Sequence, residues 1–267
     1  MRLLSIASGS SGNSIYVGSD RTHILVDAGI SNKRIEEGLR KAGISGSDIS
    51  GICITHEHSD HIRGLGVLAR KYEIPIYATK ETIKAIKNDM TLGSYSHELF
   101  REITPDKEFS VGDISIDPFH IYHDAADPVG FRFSCEGRTA AVATDMGHYD
   151  DYIVDRLSGI QALLVEANHD VRMLESGSYP YYLKRRILSD YGHLSNENCG
   201  RLISRILNDD TVHIFLGHLS KENNYPDLAF EAVKCEILQS GCGYRPDDFF
   251  MEVASRDCPS MIIELDQ

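Results

Sequence analysis

Apolar positions along the chain fall in short runs rich in β-branched and aliphatic residues: LLSIA (3–7), SIYVG (14–18), HILVD (23–27), GICIT (51–55), ISIDPF (114–119), GFRFS (130–134), TAAVAT (139–144), ALLVEA (162–167), VHIFL (212–216) and SMIIEL (260–265). Runs of this length, bounded by polar and turn-forming residues, predict β-strands. Between several of them apolar residues recur at helical spacing, over 31–42, 61–72, 79–88, 180–190, 195–207 and 226–240. This order predicts an α/β fold with antiparallel pairs early and late in the chain. No Ser/Gly/Pro linker, low-complexity tract or fixed-period repeat divides it, so 1–267 reads as one domain.

Turn chemistry marks one loop. SGSSGNS (8–14) sits between the first two predicted strands and holds two glycines among small hydroxyl residues. It has two readings: a tight hairpin connection, or a loop contacting phosphate through Ser11 and Asn13. No Gly-Lys-Ser/Thr follows, so it is not a Walker loop.

The candidate chemistry is concentrated after GICIT, in Thr55-His56-Glu57-His58-Ser59-Asp60-His61, just before a helical pattern. Alternate residues of an extended loop, His56 and His58, point the same way, whereas Asp60 and His61 stand at the incoming helix and point to a second position. The spacing therefore suits two ions, each needing further ligands, preferably from the carboxyl ends of strands. His123 after ISIDPFHIY, Asp145 after TAAVAT and His218 after VHIFLG occupy that setting.

Composition narrows the compartment and partner. Forty acidic against 27 basic residues give a net charge of −13, which argues against non-specific adhesion to nucleic acid or to an anionic membrane but leaves room for a local basic patch. The six cysteines are far apart with no CxxC pair, and read as reduced, mostly buried thiols. The start has one basic residue and too short an apolar run for a signal peptide, and no run of eighteen apolar residues occurs. A cytoplasmic protein without membrane attachment is expected, and no obligatory protein partner is evident.

THEHSDH followed by His123, Asp145 and His218 resembles the metal motifs of the metallo-β-lactamase superfamily, over nearly the whole chain. More narrowly, ASGSSGNS, ILVDAGIS, FHIYHDAADPVGF, VEANHD, GHLSNE and GHLSKENN resemble the YycJ (WalJ) group of bacterial proteins, thought to act as 5′-to-3′ DNA exonucleases. The resemblance implies an αββα sandwich and two divalent ions, zinc or manganese with iron also acceptable. His56, His58 and His123 would hold one ion, Asp60, His61 and His218 the other, and Asp145 would bridge them. Lactamases of this fold usually place a cysteine where Asp145 stands, so antibiotic hydrolysis is not expected. Only 218 − 145 = 73 positions separate Asp145 from His218, too few for the large β-CASP-type cap of some nucleic-acid-processing relatives.

His193, ahead of the predicted helix 195–207 with Ser195 as N-cap, resembles the non-ligand histidine of tRNA-processing relatives. As a general acid it would protonate a leaving alkoxide, while Asp60 orients the attacking water. Asp27 looks like the family's buried acid near the metals, a structural group. Glu166, Asn168, His169 and Asp170 follow a predicted strand and are read either as the rim of the site, with Asn168 and His169 touching substrate, or as surface loop. Lys184, Arg185 and Arg186 are read either as a phosphate contact, Arg185 foremost, or as a solvated helix face.

Two functions share this centre. One is a two-metal phosphodiester hydrolase, a 5′-to-3′ exonuclease acting on DNA more than RNA; the match to segments outside the metal motifs favours it. The other is a small-molecule hydrolase for a cyclic phosphodiester, thioester or lactone, which net acidity favours. A metal-binding scaffold without turnover gains little, since no ligand is missing.

Overall fold

The computed structural model describes residues 1–265. The first half of the chain runs β1 (Arg2–Ala7), β2 (Ser14–Gly18), β3 (His23–Val26), α1 (Asn32–Lys41), β4 (Gly51–Cys53), α2 (Ser59–Ile62), α3 (Leu65–Tyr72), β5 (Ile76–Thr79), α4 (Lys80–Asn88) and β6 (Phe100–Ile103). The second runs β7 (Phe109–Val111), β8 (Ile114–His120), β9 (Val129–Cys135), β10 (Arg138–Ala143), α5 (Asp151–Leu157), β11 (Ala162–Glu166), α6 (Val171–Ser176), α7 (Tyr181–Ile187), α8 (Asn196–Ile206), β12 (His213–Gly217), α9 (Pro226–Ser240), β13 (Phe250–Val253) and β14 (Ile263–Glu264).

These strands form two seven-stranded sheets, ordered β14-β1-β2-β3-β4-β5-β6 and β13-β12-β11-β10-β9-β8-β7. Each sheet opens antiparallel and continues parallel: β1–β2–β3 then β3–β6, and β7–β10 then β10–β13. The antiparallel pairs expected early are β1–β2 and β2–β3, and the late ones reduce to a single pair. Only β14 pairs late and antiparallel, on β1 through Arg2 and Glu264, while β10–β13 are parallel because helices carry the chain back between them.

Period-two alternation explains the layering. Leu3 of β1 and Ile24 and Val26 of β3 face a core shared with Phe131, Phe133, Val142, Leu164 and Phe215 of the other sheet. Leu4, Ile6 and Leu25 point the opposite way, onto α1 and α3 through Ile35, Leu39, Leu65 and Leu68. On the far side Ala141, Ala143, Leu163 and Val165 pack on α5, α8 and α9 through Ile153, Leu202, Ile203 and Val233. Helices therefore cover both outer faces of the paired sheets, the αββα sandwich expected. Each fully buried large apolar side chain at the inter-sheet core contributes about 1.5–3 kcal/mol.

Local departures have local causes. The helix expected over 61–72 breaks into α2 and α3 because the backbone of 28–30 comes close: Gly64 N donates to Ala28 O at 2.7 Å, and a Cβ at Gly64 would lie 2.2 Å from Ile30 O. Of the cysteines, Cys53, Cys135 and Cys199 are buried, Cys242 is half-buried, and Cys235 and Cys258 are exposed, so burial is less complete than expected; all six are free thiols. No helix among the described residues is long and apolar enough to cross a membrane.

Candidate metal centre

The carboxyl ends of β3, β4, β8, β10, β11 and β12 deliver Asp27, the 54–61 loop, His123, Asp145, Glu166 and His218 to one edge of the sandwich. Ligand atoms of His56, His58 and His123 lie within 4.8 Å of one another, as do those of Asp60, His61 and His218, and those of His56, His61 and Asp145. Asp145 sits between the groups. Its Oδ2 is 3.2 Å from His61 Nε2 and 3.1 Å from His218 Nδ1, and its Oδ1 is 3.7 Å from His123 Nε2. All seven residues expected as ligands are brought together.

Backbone conformation is part of the site. Asp27, Asp145 and His218 adopt φ of 62°, 62° and 54°, the left-handed region, which costs an ordinary side chain about 1–3 kcal/mol and is sustained by surrounding contacts. His218 N donates to Ser8 Oγ at 2.9 Å, and its carbonyl accepts from Asn168 Nδ2 at 2.8 Å. The β1–β2 loop thus connects a hairpin and also braces His218.

Partners behind the ring fix which nitrogen faces the cluster. Buried Asp27 accepts from Thr55 N and Oγ1, both at 2.8 Å, and lies 2.7 Å from His61 Nδ1, leaving His61 Nε2 forward. His123 Nδ1 lies 3.0 Å from Gly192 O, leaving its Nε2 forward. This is the arrangement that sets the tautomer of metal-ligating histidines. Among the described residues, His56 Nε2, Asp145 Oδ2 and His218 Nδ1 are buried without a hydrogen-bond partner, at about 1–3 kcal/mol each if nothing binds them. The nitrogen and carboxylate donors, so exposed to one another, fit divalent metal binding.

Electrostatics divide the histidines into two groups. Burial pushes the His56 and His123 imidazoles below their ordinary range, toward the neutral form a metal needs. On His61 burial acts the same way but is outweighed by the carboxylates of Asp145, Asp27 and Asp60, which hold it well above that range; on His218 Asp145 outweighs burial and raises it to about 9. Burial would raise Asp145, yet the facing His218 and His61 hold its carboxyl well below the usual carboxylate range.

His193 stands beside the cluster, its ring centroid 5.1 Å from that of His123 and 5.4 Å from that of His218. Its Nδ1 lies 2.7 Å from Glu166 Oε1, and Glu166 Oε2 accepts from Met146 N and Leu194 N at 2.8 and 3.0 Å. Nε2 has no protein partner among the described residues. Ser195 caps α8 as expected, accepting from Asn198 N at 3.2 Å. Sequence reasoning places Glu166 only on the rim or in a surface loop; its fully buried carboxylate instead anchors His193. It misses Asp124, which receives a two-pronged hydrogen bond from Arg186 at 2.5 and 2.8 Å beside His123.

Of the five residues expected at the substrate, Asn13, Asn168 and His169 are buried. Asn13 Oδ1 accepts from Gly9 N and its Nδ2 lies 3.1 Å from His61 Nε2, Asn168 holds the His218 carbonyl, and the His169 ring is enclosed with neither nitrogen bonded among the described residues. Ser11 and Arg185 are exposed.

Comparison with known proteins defines the class. Residues 22–214 match the family described as Beta-lactamase superfamily domain. The chain belongs to the metallo-β-lactamase superfamily of hydrolases. It is 42% identical over 246 residues to Exodeoxyribonuclease YycJ of Bacillus anthracis, covering 89% of each chain. It is 44% identical to Exodeoxyribonuclease WalJ of Streptococcus pneumoniae serotype 2, covering 91% of this chain and 90% of that one. The crystal structure of Zn(2+)-bound PqqB from Methylobacterium extorquens superposes with a TM-score of 0.72 over 99% of this chain and 100% of that one, at 16% identity, a likeness of fold alone.

Proposed function

We propose that this protein is a two-metal phosphodiester hydrolase of the cytoplasm, acting as one domain and removing nucleotides from the 5′ end of DNA. The observation that carries the binuclear reading is Asp145, whose two oxygens face different histidine groups, as a bridging carboxylate must. His56, His58 and His123 would hold one ion and Asp60, His61 and His218 the other. Divalent ions there would polarise the phosphodiester and acidify a water at neutral pH. The preference for nucleic acid, and DNA in particular, rests on the exodeoxyribonuclease relatives at 42–44% identity.

The chain's own groups account for the proton traffic. Asp60, partly open to solvent at the start of α2, accepts a hydrogen bond from the attacking water and orients it. Glu166 keeps the His193 Nδ1 proton engaged, so that protonated His193 presents Nε2–H to the leaving 3′ oxygen, a contribution of roughly 10²–10⁴ in rate. Asp27 and Gly192 hold the ligand rings in place throughout.

Net charge of −13 keeps the small-molecule reading as the second candidate. Incubating the metal-loaded protein with DNA, RNA, a cyclic phosphodiester, a thioester and a lactone separates them. Cleavage of DNA supports the proposal; turnover of a thioester or lactone with intact nucleic acid overturns it.

A further inference from the structure

The three cations of α7 are placed differently. Lys184 Nζ donates to Glu175 O and Gly177 O, both at 2.7 Å, so it is spent on the end of α6. Arg185, foremost in the sequence reading, lies over the Tyr181 ring with its guanidinium 6.0 Å from the centroid. Arg186 is the one that reaches the ligand cluster. Its Nε and Nη2 donate to Asp124 Oδ2 and Oδ1 at 2.5 and 2.8 Å, and Asp124 Oδ1 lies 3.5 Å from His123 Nε2, the ring nitrogen left facing the cluster. Neither Asp124 nor Arg186 has a part in the proton traffic described above.

A guanidinium is a planar fork with more than one edge that can hold a pair of oxygens. Asp124 fills the Nε–Nη2 edge of Arg186. Along the other edge, Nη1 and the second Nη2 proton have no acceptor among the described residues, and Asp190, exposed on the following turn, makes no ion pair with Arg186. Asp124 thus fixes the plane of a long side chain that would otherwise lose rotamer freedom on meeting a ligand, and leaves one edge open. It cancels much of the long-range charge, so what remains on offer is a local, directional contact. Asp124 is itself held, since its N donates to Tyr191 O at 3.1 Å and the adjacent His123 Nδ1 lies 3.0 Å from Gly192 O. Asp124 raises the Arg186 guanidinium above its ordinary range against the effect of burial, and Asp145 and Asp60 act in the same direction, so the cation lies within the field of the ligand carboxylates. The Arg186 side chain is 46% exposed, so a substrate can reach the open edge.

A phosphodiester brings anionic non-bridging oxygens to such an edge, whereas a thioester or lactone brings one neutral carbonyl oxygen. Fixed donors aimed at phosphoryl oxygens hold the negative charge there through the transition state without reorganising. We infer that Arg186 donates from its open edge to a non-bridging oxygen of the scissile phosphate, as a catalytic residue, and that Asp124 is the residue that positions it. This rests on the phosphodiester reading above. The contact is to the phosphoryl group and not to the departing oxygen, so it is independent of the leaving group that His193 serves.

The test compares metal-loaded wild type, Arg186→Ala, Arg186→Lys, Asp124→Asn and the double variant, by hydrolysis of bis(p-nitrophenyl) phosphate and by calorimetric titration with thymidine 5′-monophosphate. Nitrophenolate leaves without a proton, so a loss on this ester does not pass through His193. Arg186→Ala is expected to lose roughly 10- to 150-fold in kcat/KM, the range for a hydrogen bond to a charged group, and to bind the nucleotide more weakly. Arg186→Lys keeps the charge without the planar edge and should fall between Arg186→Ala and wild type. Asp124→Asn should lose less than Arg186→Ala and add nothing in its background, because Asp124 acts through Arg186. Metal content should stay the same in all of them. Wild-type hydrolysis of the ester with Arg186→Ala equal to it in rate and nucleotide affinity overturns the assignment and leaves the phosphodiester reading standing. Loss of metal from Arg186→Ala, or a full further loss from Asp124→Asn in the double variant, does the same. Wild type that hydrolyses no phosphodiester while turning over a thioester or lactone overturns both.

Discussion

Replacing Glu166 with glutamine tests the proton-transfer arrangement without altering shape. The carboxylate accepts three hydrogen bonds: Oε1 from His193 Nδ1 at 2.7 Å, and Oε2 from Met146 N and Leu194 N at 2.8 and 3.0 Å. The two backbone donors are buried and must keep an acceptor, so the glutamine carbonyl takes the Oε2 position and its NH₂ faces His193 Nδ1. The ring must then accept at Nδ1, and it loses the charged acceptor that orients it. A hydrogen bond to a charged group is worth about 1.5–3 kcal/mol, which converts to a loss of roughly 10- to 150-fold in kcat/KM on DNA. That lies within the roughly 10²–10⁴-fold ceiling for general acid catalysis, and His193→Ala should fall further toward it. The assay compares a natural nucleotide ester with its p-nitrophenyl counterpart, whose leaving group departs without a proton, and measures metal content alongside. Both variants should keep their metal and lose little on the nitrophenyl ester. Equal loss on both esters with metal retained, or no loss on DNA, would refute the role given to His193.

Three further outcomes are expected. Asp145→Ala should bind at least one ion fewer by elemental analysis and lose nearly all activity, because the remaining charges face each other unscreened; full metal content would contradict the bridge. Asp27→Asn can keep the left-handed backbone at 27 but turns an amide toward His61 Nδ1, so metal affinity in a chelator competition should fall by about 10–100-fold, and unchanged affinity would remove Asp27 from the account. Burial lowers the imidazole of His213 to about 4, below its unfolded value near 6.5, so the neutral ring stabilises the fold above that value and the contribution is lost as pH falls from about 6.5 toward 4. Urea midpoints of metal-free protein should therefore drop less between pH 7 and pH 5 in His213→Leu than in wild type; parallel curves would show that this ring carries no such linkage.

Much of the site is legible in the sequence because its chemistry is local and dense. His56, His58, Asp60 and His61 fall within six residues, and His123, Asp145 and His218 each follow a strand long and apolar enough to recognise. The elements that escape sequence reading, β5, β6, β7, β13, α5 and α6, are three to seven residues long, too short to show a period, and β6 and β13 lie at sheet edges with Arg101, Glu102 and Phe250 exposed. The roles of Glu166 and Asp124 are hidden for another reason. Glu166 is 27 positions from His193 and Asp124 is 62 from Arg186, and nothing in either segment advertises a partner that only tertiary packing brings near. Asn13, Asn168 and His169 read as substrate contacts because small polar residues near strand ends look alike in sequence, and their burial is not visible there.

The most direct test of the account is the time course of digestion of one DNA strand labelled at its 5′ end, and separately at its 3′ end, by metal-loaded protein and by protein stripped with a chelator. The account predicts that the 5′ label appears first as a mononucleotide, that the 3′ label remains on progressively shortening strands, and that both reactions stop on metal removal and resume on adding back Mn²⁺ or Zn²⁺. Internal cuts, release of the 3′ label first, or full activity without metal would contradict it.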